Sequence, residues 1–313
     1  MINKYVNKHI DDNYRKLKDI ILWQLGYYND ASLPPTPPEG FTYPNPKIEI
    51  DDDLPQVTWI NHCSFMLKWE NLHILTDPIW SDRCSPIPFI GPKRQHPVPI
   101  AIDDLPRIDI VLISHNHYDH LDEKTVKALY RKNPHIRWIV AEGIKSWFVK
   151  RGISRVQELK WWDKAIVGPF EVTAVPCQHF SGRGIFDKDE TLWVGYVMES
   201  LNKRFYFVGD TGYNAHDFKS IGEAFPHMDL SLIPVGTYVP HLFMSPVHIC
   251  PVKATSIHQE VNSKLSVGMH WKTFRLSSEG ENQPPYDLYL SMKEAGLDPL
   301  NFRMLEIGQT INW

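Results

Sequence analysis

"SHNHYDHLD", residues 114–122, sets three histidines and two aspartates in nine consecutive positions. Packing alone has little use for so much imidazole in one short stretch. "IDIVLIS" (108–114), just before it, is an apolar β-branched run that reads as a buried strand. The histidines therefore stand where the chain leaves a sheet. His115, His117, Asp119 and His120 fall at i, i+2, i+4 and i+5. Alternation along an extended chain puts His115 and His117 on one side, and the turn that follows carries Asp119 and His120 to a neighbouring position. Imidazole nitrogen and carboxylate oxygen are the ligand types zinc takes when no thiolate is supplied. One strand end can thus offer two ligands to each of two adjacent metals.

A metal centre needs further ligands, and other apolar runs end in suitable ones. "VPCQHFSGRG" (175–184) ends a strand at His179, "FYFVGDTGY" (205–213) at Asp210, and "SVGMHWKTF" (266–274) at His270. A single strand-end His or Asp is commonly a turn residue or a cap. Three of them following the first cluster indicate a shared site.

The rest of the chain gives a scaffold for that site. From Gln56 onward, short apolar runs alternate with turns and with helical patterns such as "DEKTVKALYRKN" (122–133) and "PVKATSIHQEVN" (251–262). Two strand series with helices beside them predict a layered α/β domain with two packed sheets over residues 51–313. Residues 1–50 read as an extension. Val6, Ile10, Tyr14, Leu17, Ile21 and Leu25 repeat at helical spacing over 4–28, followed by the proline-rich "LPPTPPEGFTYPNP" (33–46). That helix either packs on the body or meets a membrane surface or second copy through Trp23, Tyr27 and Tyr28.

Composition narrows the function classes. The net charge of -4 gives no pull toward nucleic acid. Cys63, Cys84, Cys177 and Cys250 are widely spread and form no CxxC pair, which predicts reduced thiols in a cytoplasmic setting rather than a disulfide framework. The charged N-terminus does not resemble a signal peptide, and no apolar run reaches the roughly 18 residues of a membrane span.

The HxHxDH pattern at His115, His117, Asp119 and His120 resembles that of the metallo-β-lactamase-fold hydrolases, whose later His, Asp and His match His179, Asp210 and His270. Within that superfamily the chain is most similar to the N-acyl-phosphatidylethanolamine-hydrolysing phospholipase D group. The likeness is carried by "LTDPIWSDRCSP" (75–86), the block 91–122, "FVGDTGY" (207–213), "IPVGTYVPHLFM" (233–244) and "MHWKTF" (269–274), and covers roughly 55–310.

The resemblance implies an αββα four-layer sandwich. It assigns His115, His117 and His179 to one metal, Asp119, His120 and His270 to the other, and Asp210 to both. Two zinc ions are implied, with iron or manganese also compatible with such ligands. They would make hydroxide available near neutral pH for attack on a phosphodiester of a glycerophospholipid. Asp119 would orient the water or relay a proton, and His248 would stand near substrate. Tyr118 either contacts phosphate or packs below the loop. Asp77 either supports a ligand imidazole or merely opens a turn before Pro78, and His62 is either a second-layer group or core. The same platform also serves lactonases and amidases acting on a carbonyl, the alternative reading. A lipid substrate would bring peripheral membrane contact, and an oligomer is compatible with all of this. Two positions depart from the group's pattern: Lys272 replaces a small residue after "HW", and His241 replaces an arginine after "YxP". Trp147, Phe148, Trp161 and Trp162 are either core or an apolar rim for acyl chains.

Overall fold

The computed structural model describes residues 4–10, 35–46, 49–201 and 203–313. β-Branched and aromatic runs build two seven-stranded sheets. The first has the order β14 (Thr310–Asn312), β1 (Gln56–Asn61), β2 (Ser64–Trp69), β3 (Leu72–Thr76), β4 (Ile110–Ile113), β5 (Arg137–Ala141) and β6 (Val156–Leu159). It is antiparallel from β14 to β3 and parallel from β3 to β6. The second runs β13 (Phe302–Arg303), β12 (Ser263–Met269), β11 (Met228–Pro234), β10 (Lys203–Phe207), β9 (Gly195–Ser200), β8 (Phe170–Val175) and β7 (Lys164–Val167). Its β7–β10 part is antiparallel and its β10–β13 part parallel.

The sheets meet through side chains of both. The Tyr196 hydroxyl on β9 donates to the Ile113 carbonyl on β4 at 2.9 Å. Farther along, Trp69 of β2 packs on Phe170 of β8, ring centroids 4.6 Å apart. β4 is buried at every position, as a strand covered on both faces should be. Helices α1 (Glu123–Lys132), α2 (Lys145–Val149), α3 (Ala215–Ala224), α4 (His241–Met244), α5 (Pro251–Glu260) and α6 (Gln283–Glu294) complete the expected layers. α1 buries only Thr125, Val126 and Leu129, one stripe of an otherwise charged helix.

The N-terminal expectation needs correction. Residues 4–10 run as irregular chain with a bend, not as a helix. Their polar groups bond to the body instead: the Tyr5 N–H donates to the Asp189 carbonyl at 2.9 Å, and the Asn7 amide donates to the His179 carbonyl at 2.8 Å. Positions 11–28 of the expected helix lie outside the described residues. The proline-rich stretch, described from 35, lies on the C-terminal part of the domain, where the Tyr43 hydroxyl donates to the Phe302 carbonyl at 2.6 Å.

α5 carries a test of the packing. His258 is buried against Phe302, with Nδ1 2.8 Å from the Ser266 hydroxyl, and burial pushes its pKa down to about 4. An unfolded chain holds a histidine proton below roughly 6.5. The unfolded state therefore binds more protons between these values. Stability from the neutral imidazole is complete above the unfolded pKa and lost as pH falls toward the folded one, about 3 kcal/mol in all. Urea unfolding at stepped pH should show His258→Gln losing less stability than the parent between pH 6.5 and 4. Parallel curves would refute the assignment.

Candidate metal centre

The strands end together at one rim, and the backbone there is unusual. Non-glycine residues with left-handed φ cluster at it: His62 (43°), Asp77 (31°), Thr237 (68°), His270 (62°) and Lys272 (62°). Such conformations cost of order 1 kcal/mol or more each and persist where surrounding bonds enforce them. Gly236 shows how tight the rim is: a Cβ there would stand 2.2 Å from the His270 carbonyl oxygen.

The seven residues singled out at strand ends converge. His117 Nδ1 lies 2.8 Å from His115 Nε2 and 3.2 Å from His179 Nε2, so three imidazoles turn nitrogens to one point. Beside them, His120 Nε2 lies 3.4 Å from Asp119 Oδ2, and His270 Nε2 lies 3.6 Å from the same oxygen. Asp210 Oδ2 stands between the groups, 2.9 Å from His270 Nε2, 3.2 Å from His120 Nε2 and 3.8 Å from His179 Nε2.

The far side of four of the five imidazoles is fixed by protein. His120 Nδ1 is 2.6 Å from Asp77 Oδ2, His270 Nδ1 3.1 Å from Thr237 Oγ1, His115 Nδ1 2.9 Å from Ser114 Oγ, and His179 Nδ1 2.9 Å from the Val247 carbonyl. This is how proteins orient metal-ligating histidines.

Two observations test the cluster against a metal. His120 Nε2, His270 Nε2 and Asp210 Oδ1 are buried without a hydrogen-bond partner. Buried polar atoms are normally satisfied, so inward-facing orphans of ligand type fit cations held among them. The electrostatics agree. Burial disfavours a charged His270, yet Asp210 and Asp119 overcome it and hold its pKa up at about 9. His120 is likewise raised, against burial, by Asp210, Asp119 and Asp77. Burial would raise Asp210 and Asp119, but the imidazoles, His120 foremost, hold both well below the usual carboxylate range. A carboxylate pair this deep demands positive charge. On the histidine-only side, burial dominates and pushes His117 down to about 4 and His179 to about 3, leaving neutral imidazoles ready to bind metal. The residues fit a metal centre.

The surrounding expectations divide. Asp77 is fully buried and does more than open a turn, since it also accepts from the Ser114 N–H at 2.7 Å. His62 sits in the next layer, Nε2 3.1 Å from Asp119 Oδ2, and burial lowers it to about 3. His248 faces the cluster, with Nδ1 4.0 Å from Asp210 Oδ2. It shares a cavity of about 250 Å³ with His117, Asp119, His179, Asp210 and His270 and with the apolar Phe180, Phe243, Met244 and Leu276.

Tyr118 does not join them. Its hydroxyl donates to the Arg183 carbonyl at 3.1 Å and the Arg183 guanidinium lies 3.9 Å from its ring centroid, so the phosphate contact gives way to packing. Lys272 is neutralised by Glu306 at 3.0 Å and Glu281 at 3.9 Å. His241 opens α4 with its ring 5.4 Å from that of Tyr238. The rim reading of the aromatics fails for Phe148, which is core, and for Trp161, whose indole donates to the Trp193 carbonyl at 2.8 Å. Three contributors escaped sequence reasoning: Ser114, Thr237 and Asn7. Ser114 borders the histidine cluster and was open to notice; the other two are joined to their histidines only by the fold.

A buried histidine–carboxylate cluster at the ends of two packed mixed sheets defines a metal-dependent hydrolase. A family model described as the Beta-lactamase superfamily domain matches residues 73–271. N-acyl-phosphatidylethanolamine-hydrolyzing phospholipase D 1 of Caenorhabditis elegans is 36% identical over 80% of this chain and 74% of its own. The mitochondrial N-acyl-phosphatidylethanolamine-hydrolyzing phospholipase D of Saccharomyces cerevisiae is 34% identical over 76% of this chain and 52% of its own. Among solved structures, Igni18, a metallo hydrolase from Ignicoccus hospitalis, shares the fold with a TM-score of 0.62 at 20% identity, covering 83% of this chain and 98% of that one. The chain belongs to the β-lactamase superfamily and is homologous to its N-acyl-phosphatidylethanolamine-hydrolysing phospholipases D.

Proposed function

We propose that the protein is a dinuclear metal phosphodiesterase of the phospholipase D type, acting on N-acyl-phosphatidylethanolamine or a related glycerophospholipid. The observation that carries this reading is the Asp210 carboxylate, shared between two ligand groups beside a cavity with apolar walls. His115, His117 and His179 would hold one ion, Asp119, His120 and His270 the other, and Asp210 both. Zinc suits these ligands, and iron or manganese is compatible with them. When bound, the metals supply an activated water and neutralise charge gathering on the phosphoryl oxygens. Asp119, whose side chain keeps 16% exposure, would orient such a water or relay its proton. His248, at the cavity wall, contacts the phosphoryl group or protects the departing alkoxide by giving it a proton. The bond from phosphorus to the head-group oxygen breaks, and water supplies the replacement oxygen. The products are an alcohol and a phosphomonoester. Residues 1–50 form an extension on a catalytic domain of 51–313, and peripheral membrane contact follows from the substrate class. Among the described residues no helix is long and apolar enough to cross a membrane.

The test is product analysis with zinc-loaded protein on a panel of N-acyl-phosphatidylethanolamine, other phospholipids and lactones. Release of an N-acylethanolamine with phosphatidic acid is expected. Rapid lactone opening with every phosphodiester untouched would replace this reading with the carbonyl hydrolase. His248→Ala should lower kcat about 100-fold with metal content unchanged; loss of metal would instead make His248 a ligand.

A further inference from the structure

A second group of ligand-type side chains comes together on the surface. His9, in the N-terminal stretch, and His216 and Asp217, in the first turn of α3, bring ring nitrogens and a carboxylate oxygen within 4.8 Å of one another. His9 Nε2 lies 3.4 Å and His216 Nδ1 3.7 Å from the same atom, Asp217 Oδ1. The two rings stand 4.1 Å apart between centroids. Tetrahedral coordination with bonds of roughly 2.0–2.2 Å separates donor atoms by roughly 3.3–3.6 Å, so the two nitrogen-to-carboxylate spacings already lie close to that range.

The local bonds leave that oxygen available. Asp217 Oδ2 accepts from Asn214 Nδ2 at 2.9 Å, and the Asp217 N–H donates to Asn214 Oδ1 at 2.8 Å, which fixes the carboxylate with Oδ1 toward the imidazoles. A simple ion pair requires one histidine, whereas two face one oxygen here. If both carried protons, the closely placed rings would repel. A single cation serves all three groups and leaves a fourth position for water, the outer face being open: the His216 side chain is 68% exposed and that of His9 28%. The N-terminal dipole of α3 opposes a cation, so this site is the weaker one.

We propose that His9, His216 and Asp217 form an additional surface metal site, for zinc or a similar divalent ion, that clasps the N-terminal stretch to α3. One arm of the clasp reaches the His179 backbone and the other the side chain of its neighbour Gln178. Asn7, two residues before His9, donates to the His179 carbonyl, and Asn214, which holds Asp217, donates to Gln178 Oε1 at 3.1 Å. An ion here steadies the strand end that presents a ligand of the central cluster, whatever substrate that cluster turns over.

The test is equilibrium dialysis of the full chain against graded zinc, with elemental analysis and with trypsin cleavage after Lys8 as an independent readout. The parent should bind one weak zinc beyond its tight complement, and that zinc should slow cleavage. His9→Ala and His216→Ala should each lose this weak equivalent and the protection while keeping the tight complement and the parent's melting temperature in chelator. Both positions are on the surface, so folding should survive. Equal stoichiometry and equal cleavage in parent and variants would overturn the site, as would loss of the weak zinc in only one variant.

Discussion

Asp210→Ala should lower kcat/KM for hydrolysis at least about a thousandfold, roughly 4 kcal/mol of transition-state stabilisation, while the two-sheet body stays folded. The reason lies in the position of one oxygen. Asp210 Oδ2 is the atom within 3.8 Å of nitrogens from both ligand groups, and the side chain is 2% exposed. No neighbouring carboxylate can swing into that place, since Asp119 is already held by His62, His120 and His270. Elemental analysis should find less metal than in the parent, and circular dichroism should find the same secondary structure. The metal-free protein offers a third reading. There Asp210 is foremost in holding the His270 pKa up at about 9 against burial, so the His270 imidazole should titrate distinctly lower by NMR in the variant. Full metal content with full activity would remove Asp210 from the centre.

The ligands were legible because each closes an apolar run, and a strand announces its end locally. His115 to His120 follow "IDIVLIS", and Asp210 and His270 follow runs of the same kind. The layered fold was legible for the same reason. Other elements hid. β5, "RWIVA", is as apolar as its neighbours and was open to the same reading. β6 and β7 are short edge strands with exposed positions, and their sequences do not alternate cleanly. α3 buries only Phe218 and Ile221, too few for a periodic signal. The N-terminal stretch shows the opposite failure. Helical spacing at Val6 and Ile10 was real, yet Val6 is 56% exposed and the buried residue between them is Asn7. A long-range polar contact overrode local periodicity there. Thr237 and His270 likewise come together only because β11 and β12 are paired in parallel and end side by side.

Asp77 carries the second large effect, because one carboxylate anchors a histidine from each ligand group. It accepts from the Ser114 N–H and hydroxyl, and Ser114 Oγ in turn meets His115 Nδ1; its Oδ2 meets His120 Nδ1 at 2.6 Å. Burial raises its pKa, while His120 and Ser114 pull the other way and favour the charged form. Alanine leaves a buried N–H without an acceptor, at a cost of about 1–3 kcal/mol, and frees His120 to rotate. Metal affinity should fall about 10–100-fold, measured by competition with a chelator. Asp77→Asn separates the two roles. Its amide oxygen still accepts from the Ser114 N–H, so urea stability of the metal-free protein should stay nearer the parent's. It has no negative charge for His120, so the affinity loss should remain. If Asp77 only shaped the turn before Pro78, alanine would lower stability alone, and chelator competition would give the parent's affinity for both variants.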